Sequence, residues 1–224
     1  MKGVRRSALA LVYITVELAF WRRLLYNEEN LTRKTEETEM LIDITLKVTE
    51  AMSKEAQGNQ DRSLVGHLGT HFDVMNKEFP LSYTRRKGVV FDVSSIRERD
   101  ITSADVDLSL VEKEMFVAFH TGYIEEVGYG NRVYFGQHPQ LADELIDALL
   151  ARGVSIIAVD CSGVRRGREH TPKDQYCADR GCFVIENLCN LKAVVKCGGR
   201  FIAHTYPMSF TDMTGLPCRV IAEV

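Results

Sequence analysis

Within seven residues the chain sets two imidazoles and a carboxylate: His67-Leu68-Gly69-Thr70-His71-Phe72-Asp73. Two nitrogens and an oxygen so closely spaced suit a divalent ion of borderline character, zinc or manganese. Positions four apart share a helical face, but Gly69 and the β-branched Thr70 make this a poor helix. A bent segment in which Gly69 turns the backbone brings the same three side chains together. A lone His-x-x-x-His would read as two ordinary loop histidines. Here the Gly-Thr pair between the histidines and the immediate Asp73 favour a metal site, with His67, His71 and Asp73 as its ligands.

Taken with what lies downstream, His-x-Gly-Thr-His-x-Asp resembles the signature of the metal-dependent cyclase family, which includes bacterial kynurenine formamidases (arylformamidases) and isatin hydrolases. The resemblance runs over about residues 40–224. It is also carried by Thr121-Gly122, by Glu186-Asn187-Leu188 and by Thr214-Gly215-Leu216-Pro217-Cys218-Arg219-Val220-Ile221-Ala222. It implies an α/β fold, a swivelling β/β/α domain with a mixed β-sheet, assembled as a homodimer or higher homo-oligomer. It also implies a metal-dependent hydrolase of amide bonds other than peptide bonds. The default substrate is N-formylkynurenine, giving kynurenine and formate in tryptophan catabolism.

Two positions depart from the family's pattern. The family continues its first motif as Asp-x-Pro-x-His, where this chain has Met75 and Lys77. Twelve residues before the Glu of Glu-Asn-Leu the family has a histidine, and this chain has Asp174. Two-metal members resemble a pair of cations bridged by an aspartate and a water. An ammonium cannot ligate a metal, so Lys77 is expected to fill the second ion's place as a fixed positive charge, paired with Asp174. A solvated surface lysine is the alternative. One divalent ion, zinc or manganese, is therefore expected, with water completing its shell. Glu186 or Asp174 would take and relay the proton, and Lys77 would hold the oxyanion.

Other histidines carry weaker signals. His120, beside Thr121, is a candidate substrate-binding residue together with that threonine; a structural histidine is the alternative. His170, four residues before Asp174, reads as a surface-loop histidine, with a swing into the site as the alternative. His138 and His204 read as structural. Cys161 follows an expected strand, but a nucleophilic role finds no His-Asp partner in order or spacing.

Two rival functions stand beside the default. One is a hydrolase of another cyclic or linear amide on the same scaffold, because the loops around 50–60 and 162–170 carry charge where an aromatic substrate would prefer apolar walls. The other is a non-catalytic metal-binding relative, because two family ligand histidines are replaced.

These groups need a scaffold, and the composition supplies one. The chain has 224 residues, 45% hydrophobic and 26% charged, as expected of a globular domain with a real core. A formal net charge of -3 argues against a nucleic-acid surface. The short cluster Arg165-Arg166-Gly167-Arg168, followed by Glu169, reads as a solvated loop. None of the six cysteines forms Cys-x-x-Cys, so they read as small buried hydrophobes in a reducing cytoplasm.

Residues 1–39 differ from the rest and form an N-terminal extension to a cyclase-like domain over 40–224. An apolar run over 8–20 lies between Lys2-Arg5-Arg6 and Arg22-Arg23. It falls short of the ~20 residues that span a bilayer, holds Glu17 and precedes no small-residue cleavage site, which argues against a membrane span or signal peptide. An interfacial helix followed by a polar linker is one account. The other is that Met40 is the true start and 1–39 a translated leader.

Within the domain, strands are expected at 41–46, 63–66, 88–93, 115–120, 154–160, 182–185, 201–206 and 218–224. Helices are expected from Pro139 to Gly153, over 172–180, and briefly from the Thr102/Asp105 capping pair. The stretch from 47 to about 61 reads as a polar loop, and 128–132 as a turn.

Overall fold

Four apolar, β-branched runs build the centre of the sheet. In the computed structural model, which describes residues 40–59 and 66–224, they are β3 (Arg85–Asp92), β4 (Phe116–His120), β5 (Ile156–Val159) and β6 (Phe183–Glu186). They lie side by side and parallel. Apolar residues fill successive positions because both faces of a parallel sheet are covered. Around them, β1 (Leu41–Asp43), β2 (His71–Asp73), β7 (Arg200–Pro207) and β8 (Gly215–Glu223) pair antiparallel. The sheet runs β1-β8-β2-β6-β5-β4-β3-β7, and β7 also pairs with β8. β8 closes the ring: residues 215–217 pair with β2 and residues 218–223 with β7. The result is a mixed α/β fold around a closed, barrel-like sheet.

The two faces of this ring can be told apart by their cores. Phe72, Val90, Ala118, Ile156, Ile185, Ala203 and Val220 belong to one cluster drawn from all seven ring strands, which makes it the inside. The alternate residues Val89, Phe91, Phe119, Ile157 and Val184 belong to a second cluster with helical side chains. That alternation is the period of two of a pleated strand. His71 and Asp73 flank Phe72, and Glu186 lies two beyond Val184, so all three face the helix-covered outside.

The helices are α1 (Glu50–Ala56), α2 (Tyr123–Val127), α3 (Arg132–Gln137), α4 (Asp143–Ala151), α5 (His170–Ala178) and α6 (Leu191–Lys196). In α4 the expected stripe of Leu145, Ile146 and Leu149 is buried. The helix starts at Asp143 rather than at Pro139, because residues 140–142 are held extended by Ile101 and Val164: Ile101 N donates to Gln140 O, Leu141 N to Val164 O and Ala142 N to Ile101 O. The capping pair Thr102 and Asp105 does form its box, on a single 3-10 turn, Ser103–Asp105. The stretch read as a polar loop contains α1, capped by Thr49.

Of the strand expected over 63–66, only Gly66 lies within the described residues, and the N-terminal extension lies outside them. Cys161, Cys177, Cys182 and Cys218 are buried, Cys189 is half-buried and Cys197 is exposed. Among the described residues no helix is long and apolar enough to cross a membrane.

Candidate metal centre

Gly69, at φ +72°, turns the chain just before β2. The segment expected as a bent loop throughout is thus a turn that runs straight into a strand. His71 and Asp73 alternate with Phe72 on β2, and His71 sits opposite Glu186 in the pairing with β6. The strand is fixed on its other side by β8, and Thr214, just before β8, places its hydroxyl 2.9 Å from His67 Nε2.

The three expected ligands meet. His67 Nδ1 lies 3.1 Å from His71 Nε2 and 3.1 Å from Asp73 Oδ1, and His71 Nε2 lies 3.5 Å from Asp73 Oδ1. Ligands on a tetrahedral zinc at its usual bond lengths stand about 3.3 Å apart, so this triangle has the size of one face of such a shell. The tautomer of His71 is forced. Its Nδ1 is 2.9 Å from the Gly69 carbonyl, which can only accept, so Nδ1 keeps a hydrogen and in the neutral ring Nε2 turns a lone pair to the centre. Asp73 is buried, and its Oδ2 has no hydrogen-bond partner. Converging lone pairs around an orphaned buried carboxylate oxygen fit a divalent cation.

A second group shares Asp73. The ligand atoms of Asp73, His170, Asp174 and Glu186 also lie within 4.8 Å of one another. His170 is not a surface-loop residue. It opens α5 with Nε2 3.2 Å from Asp174 Oδ2 and 3.0 Å from Glu186 Oε1. Asp174, one turn on, is buried, and its Oδ1 has no hydrogen-bond partner. Gly163 leaves room for this packing, since a Cβ there would stand 2.9 Å from His170 Cε1 and 3.0 Å from Glu186 Oε1.

Charge in the site is dominated by three carboxylates. Burial works against a protonated His71, but Asp73 and Glu186 outweigh it and hold the ring at about 9. Burial likewise opposes a charged His170, and Glu186, Asp174 and Asp73 raise it to about 10. Burial, Asp73 and Glu186 together push Asp174 well above the usual carboxylate range. Against its own burial, Asp73 is held well below that range by His71 and His67.

Lys77 does not join this group. Met75 at φ +56° and the hydrogen bond from Lys77 N to Val74 O close a turn after β2. The side chain is carried outward to Asp179, with Nζ 2.6 Å from Oδ1. The expected pairing of Lys77 with Asp174 is therefore wrong, and His170 stands beside Asp174 instead.

His120 and Thr121 are also misplaced by the sequence expectation. The centre opens into a cavity of ≈ 590 Å³ lined by Met75, Phe135, Ser162, Thr171 and Thr214 as well as by the groups above; neither His120 nor Thr121 lines it. His120 is buried with Nδ1 3.1 Å from Asp92 Oδ1. Thr121 gives its backbone N–H, at 2.9 Å, and its hydroxyl to the buried Asp160, which also takes the Gly122 N–H at 2.7 Å. Those bonds use Asp160 to hold the start of α2. His138 is buried and His204 pairs with Glu223 at 2.6 Å.

Sequence reasoning missed Phe135 in the cavity wall and Tyr134 behind the site, both on α3. Asn131, whose Oδ1 accepts from Tyr134 N at 2.9 Å, was the available signal: an N-cap residue at the end of the expected turn.

Comparison with solved structures gives the same fold. The structure of a potential metal-dependent hydrolase with cyclase activity matches with a TM-score of 0.65 at 21% identity, over 82% of this chain and 96% of that one. A predicted metal-dependent hydrolase from Bacillus stearothermophilus matches at 0.62 and 20%, over 82% and 97%. Isatin hydrolase A from Labrenzia aggregata, bound to benzyl benzoate, matches at 0.64 and 16%, over 88% and 99%. No curated protein sequence matches the chain. The family model described as "Putative cyclase" matches residues 30–165, more than half of the sequence, and the chain belongs to that Cyclase family.

Proposed function

We propose that this chain is a metal-dependent hydrolase of non-peptide amides, acting on an aryl amide such as N-formylkynurenine. The observation that carries the proposal is the triangle of His67 Nδ1, His71 Nε2 and Asp73 Oδ1 beside an orphaned Asp73 oxygen. These three residues would hold a divalent ion, zinc or manganese. Such an ion, when bound, acidifies water and polarises a carbonyl. Glu186, at the end of β6 and facing the cavity, accepts the proton released at the attacking oxygen. Asp174, whose carboxyl keeps its proton more firmly than an ordinary aspartate, returns one to the leaving nitrogen. The positive charge once expected from Lys77 comes from His170, raised to about 10 and so cationic near neutral pH, where it can face a developing oxyanion.

An aromatic substrate finds apolar contacts that the charged loops around 50–60 and 162–170 did not promise. Met75 and Phe135 line the cavity itself. Through Met75 and Thr214 the cavity adjoins a groove of ≈ 980 Å³ walled by Met208, Phe210 and Met213. The isatin hydrolases among the structural neighbours are consistent with chemistry on aryl amides.

The test is metal content and turnover together. Protein purified without added metal should carry about one zinc or manganese per chain and hydrolyse an aryl formamide or a fused lactam, with loss of activity on chelation. His71→Ala should abolish both the ion and the turnover. Hydrolysis that persists after metal stripping would overturn the scheme. A bound ion with no turnover across a broad amide panel would favour a metal-binding relative without activity. One observation supports a further variant, two ions per chain: Asp174 Oδ1 is buried without a partner beside Asp73 and Glu186. A count near two would make His170 a ligand rather than a cation.

A further inference from the structure

Behind His71 runs a chain of hydrogen bonds between buried side chains, and one of them, Asn187, also borders the cavity. Tyr134 and Asn187 are both buried, at 0% and 1% exposure. The Tyr134 hydroxyl donates to Asn187 Oδ1 at 2.7 Å, and Asn187 Nδ2 donates to the Gly69 carbonyl at 2.9 Å. His71 Nδ1 donates to that same carbonyl at 2.9 Å. The Asn187 backbone is tied in as well, since its carbonyl accepts from Thr70 Oγ1 at 2.7 Å.

We propose that Tyr134 and Asn187 are positioning residues that set the affinity of the metal centre through the Gly69 carbonyl. The inference rests on the proposed metal site and goes beyond it. Its logic is directional. Gly69 O can only accept, so the Asn187 amide must turn its nitrogen to it and its oxygen to Tyr134, whose hydroxyl must then donate. The carbonyl so aimed requires the N–H of His71 at Nδ1 and, in the neutral ring, leaves Nε2 to turn toward Asp73. The Tyr134 and Asn187 side chains are both buried, so each bond fixes the next.

Position supports the same role. Asn187 follows Glu186 directly and sits at φ +61°, a conformation asparagine tolerates better than most residues. One residue therefore ties the end of β6, which carries the carboxylate, to the turn that carries the imidazole. Tyr134 reaches it from α3, whose next residue, Phe135, lines the cavity.

Zinc affinity separates this role from simple packing. The measurement is competition for Zn²⁺ against a chromophoric chelator, on the whole chain and three variants. Tyr134→Phe keeps the ring and removes only the hydroxyl. Asn187→Asp keeps the shape and turns a donor into an acceptor facing Gly69 O. Tyr123→Phe is the control: its hydroxyl donates to Val133 O at 3.1 Å and its ring stacks on Tyr134, outside the relay. Tyr134→Phe and Asn187→Asp should weaken Zn²⁺ binding about 10- to 100-fold, while Tyr123→Phe keeps the wild-type affinity. The imidazole ¹⁵N shifts of His71 in the metal-free protein, read above pH 10 where the ring is neutral, should show the Nδ1–H form in the wild type and a mixture in Tyr134→Phe. Equal zinc affinities for Tyr134→Phe, Tyr123→Phe and wild type would overturn the relay and leave the metal site standing. A wild-type chain that takes up no zinc would overturn both.

Discussion

At the scale of single residues the site is a balance of charge. Three buried or nearly buried carboxylates, Asp73, Asp174 and Glu186, face two histidines they raise. Asn in place of Asp174 mimics the protonated acid that the site already favours. Asp174→Asn should therefore stabilise the metal-free protein at pH 7, by on the order of 1 kcal/mol, and reduce the gain on adding Zn²⁺. Thermal midpoints with and without metal check this, and a metal-free variant less stable than wild type would contradict it. The pH dependence has a definite sign. His71 and His170 have folded values of about 9 and about 10, above the ordinary 6.5. Their contribution is whole below about pH 6.5 and is lost as pH rises through 9 to 10. Asp174, also raised, acts in the same direction. Asp73, held low, contributes above pH 3.8 and loses that contribution only as pH falls through its depressed value. The metal-free midpoint should thus fall between pH 6 and pH 10, while stabilisation by added Zn²⁺ grows, because the ion no longer has to displace protons. A metal-free midpoint that rises over that range would refute the charge balance.

At the scale of elements, what could be read from the sequence followed from periodicity and length. β3 to β6 were legible because each is apolar on both faces. β2 was not, since two of its three residues are polar groups aimed at one point, and a run of three cannot show alternation. α1, α2, α3 and α6 have five to seven residues, too few for a helical stripe to repeat. The short motif in which His67, His71 and Asp73 stand was legible because local chain geometry alone brings them together. Lys77 and His170 were misjudged because their positions depend on a turn after β2 and on where α5 begins, neither of which residue spacing fixes. The turns that set β2 make a graded test. Gly66 and Gly69 both have positive φ, at +85° and +72°. An added Cβ at Gly69 would crowd Val48 Cγ2, at 2.6 Å, whereas at Gly66 it meets the Gly215 backbone oxygen at 2.0 Å. Gly69→Ala should cost about 1–2 kcal/mol in backbone strain, with Val48 yielding. Gly66→Ala should cost distinctly more, because the start of β8 must move. Urea denaturation of the two variants compares them, and equal losses would mean that β8 yields as readily as a side chain.

At the scale of the whole molecule the site sits where distant parts of the chain meet. β2, β6 and β8 pair side by side although they come from residues 71–73, 183–186 and 215–223. His71 and Asp73 come from the first and His67 from the turn just before it, Glu186 comes from the second, and Thr214, which holds His67, adjoins the third. A ligand bound there is linked to closure of the ring, since His67 loses Thr214 if β8 leaves β2. Residues 40–224 form one compact unit, and both core clusters share the strands β3 to β6, so there is no seam along which half the domain could melt first. Zn²⁺ at a hundred times its dissociation constant stabilises the folded state by about 2.7 kcal/mol. That stabilisation should appear as an upward shift of one cooperative transition in scanning calorimetry, reversed by chelator. A trace that divides into two transitions, only one of which responds to metal, would show that the centre is coupled to part of the ring alone.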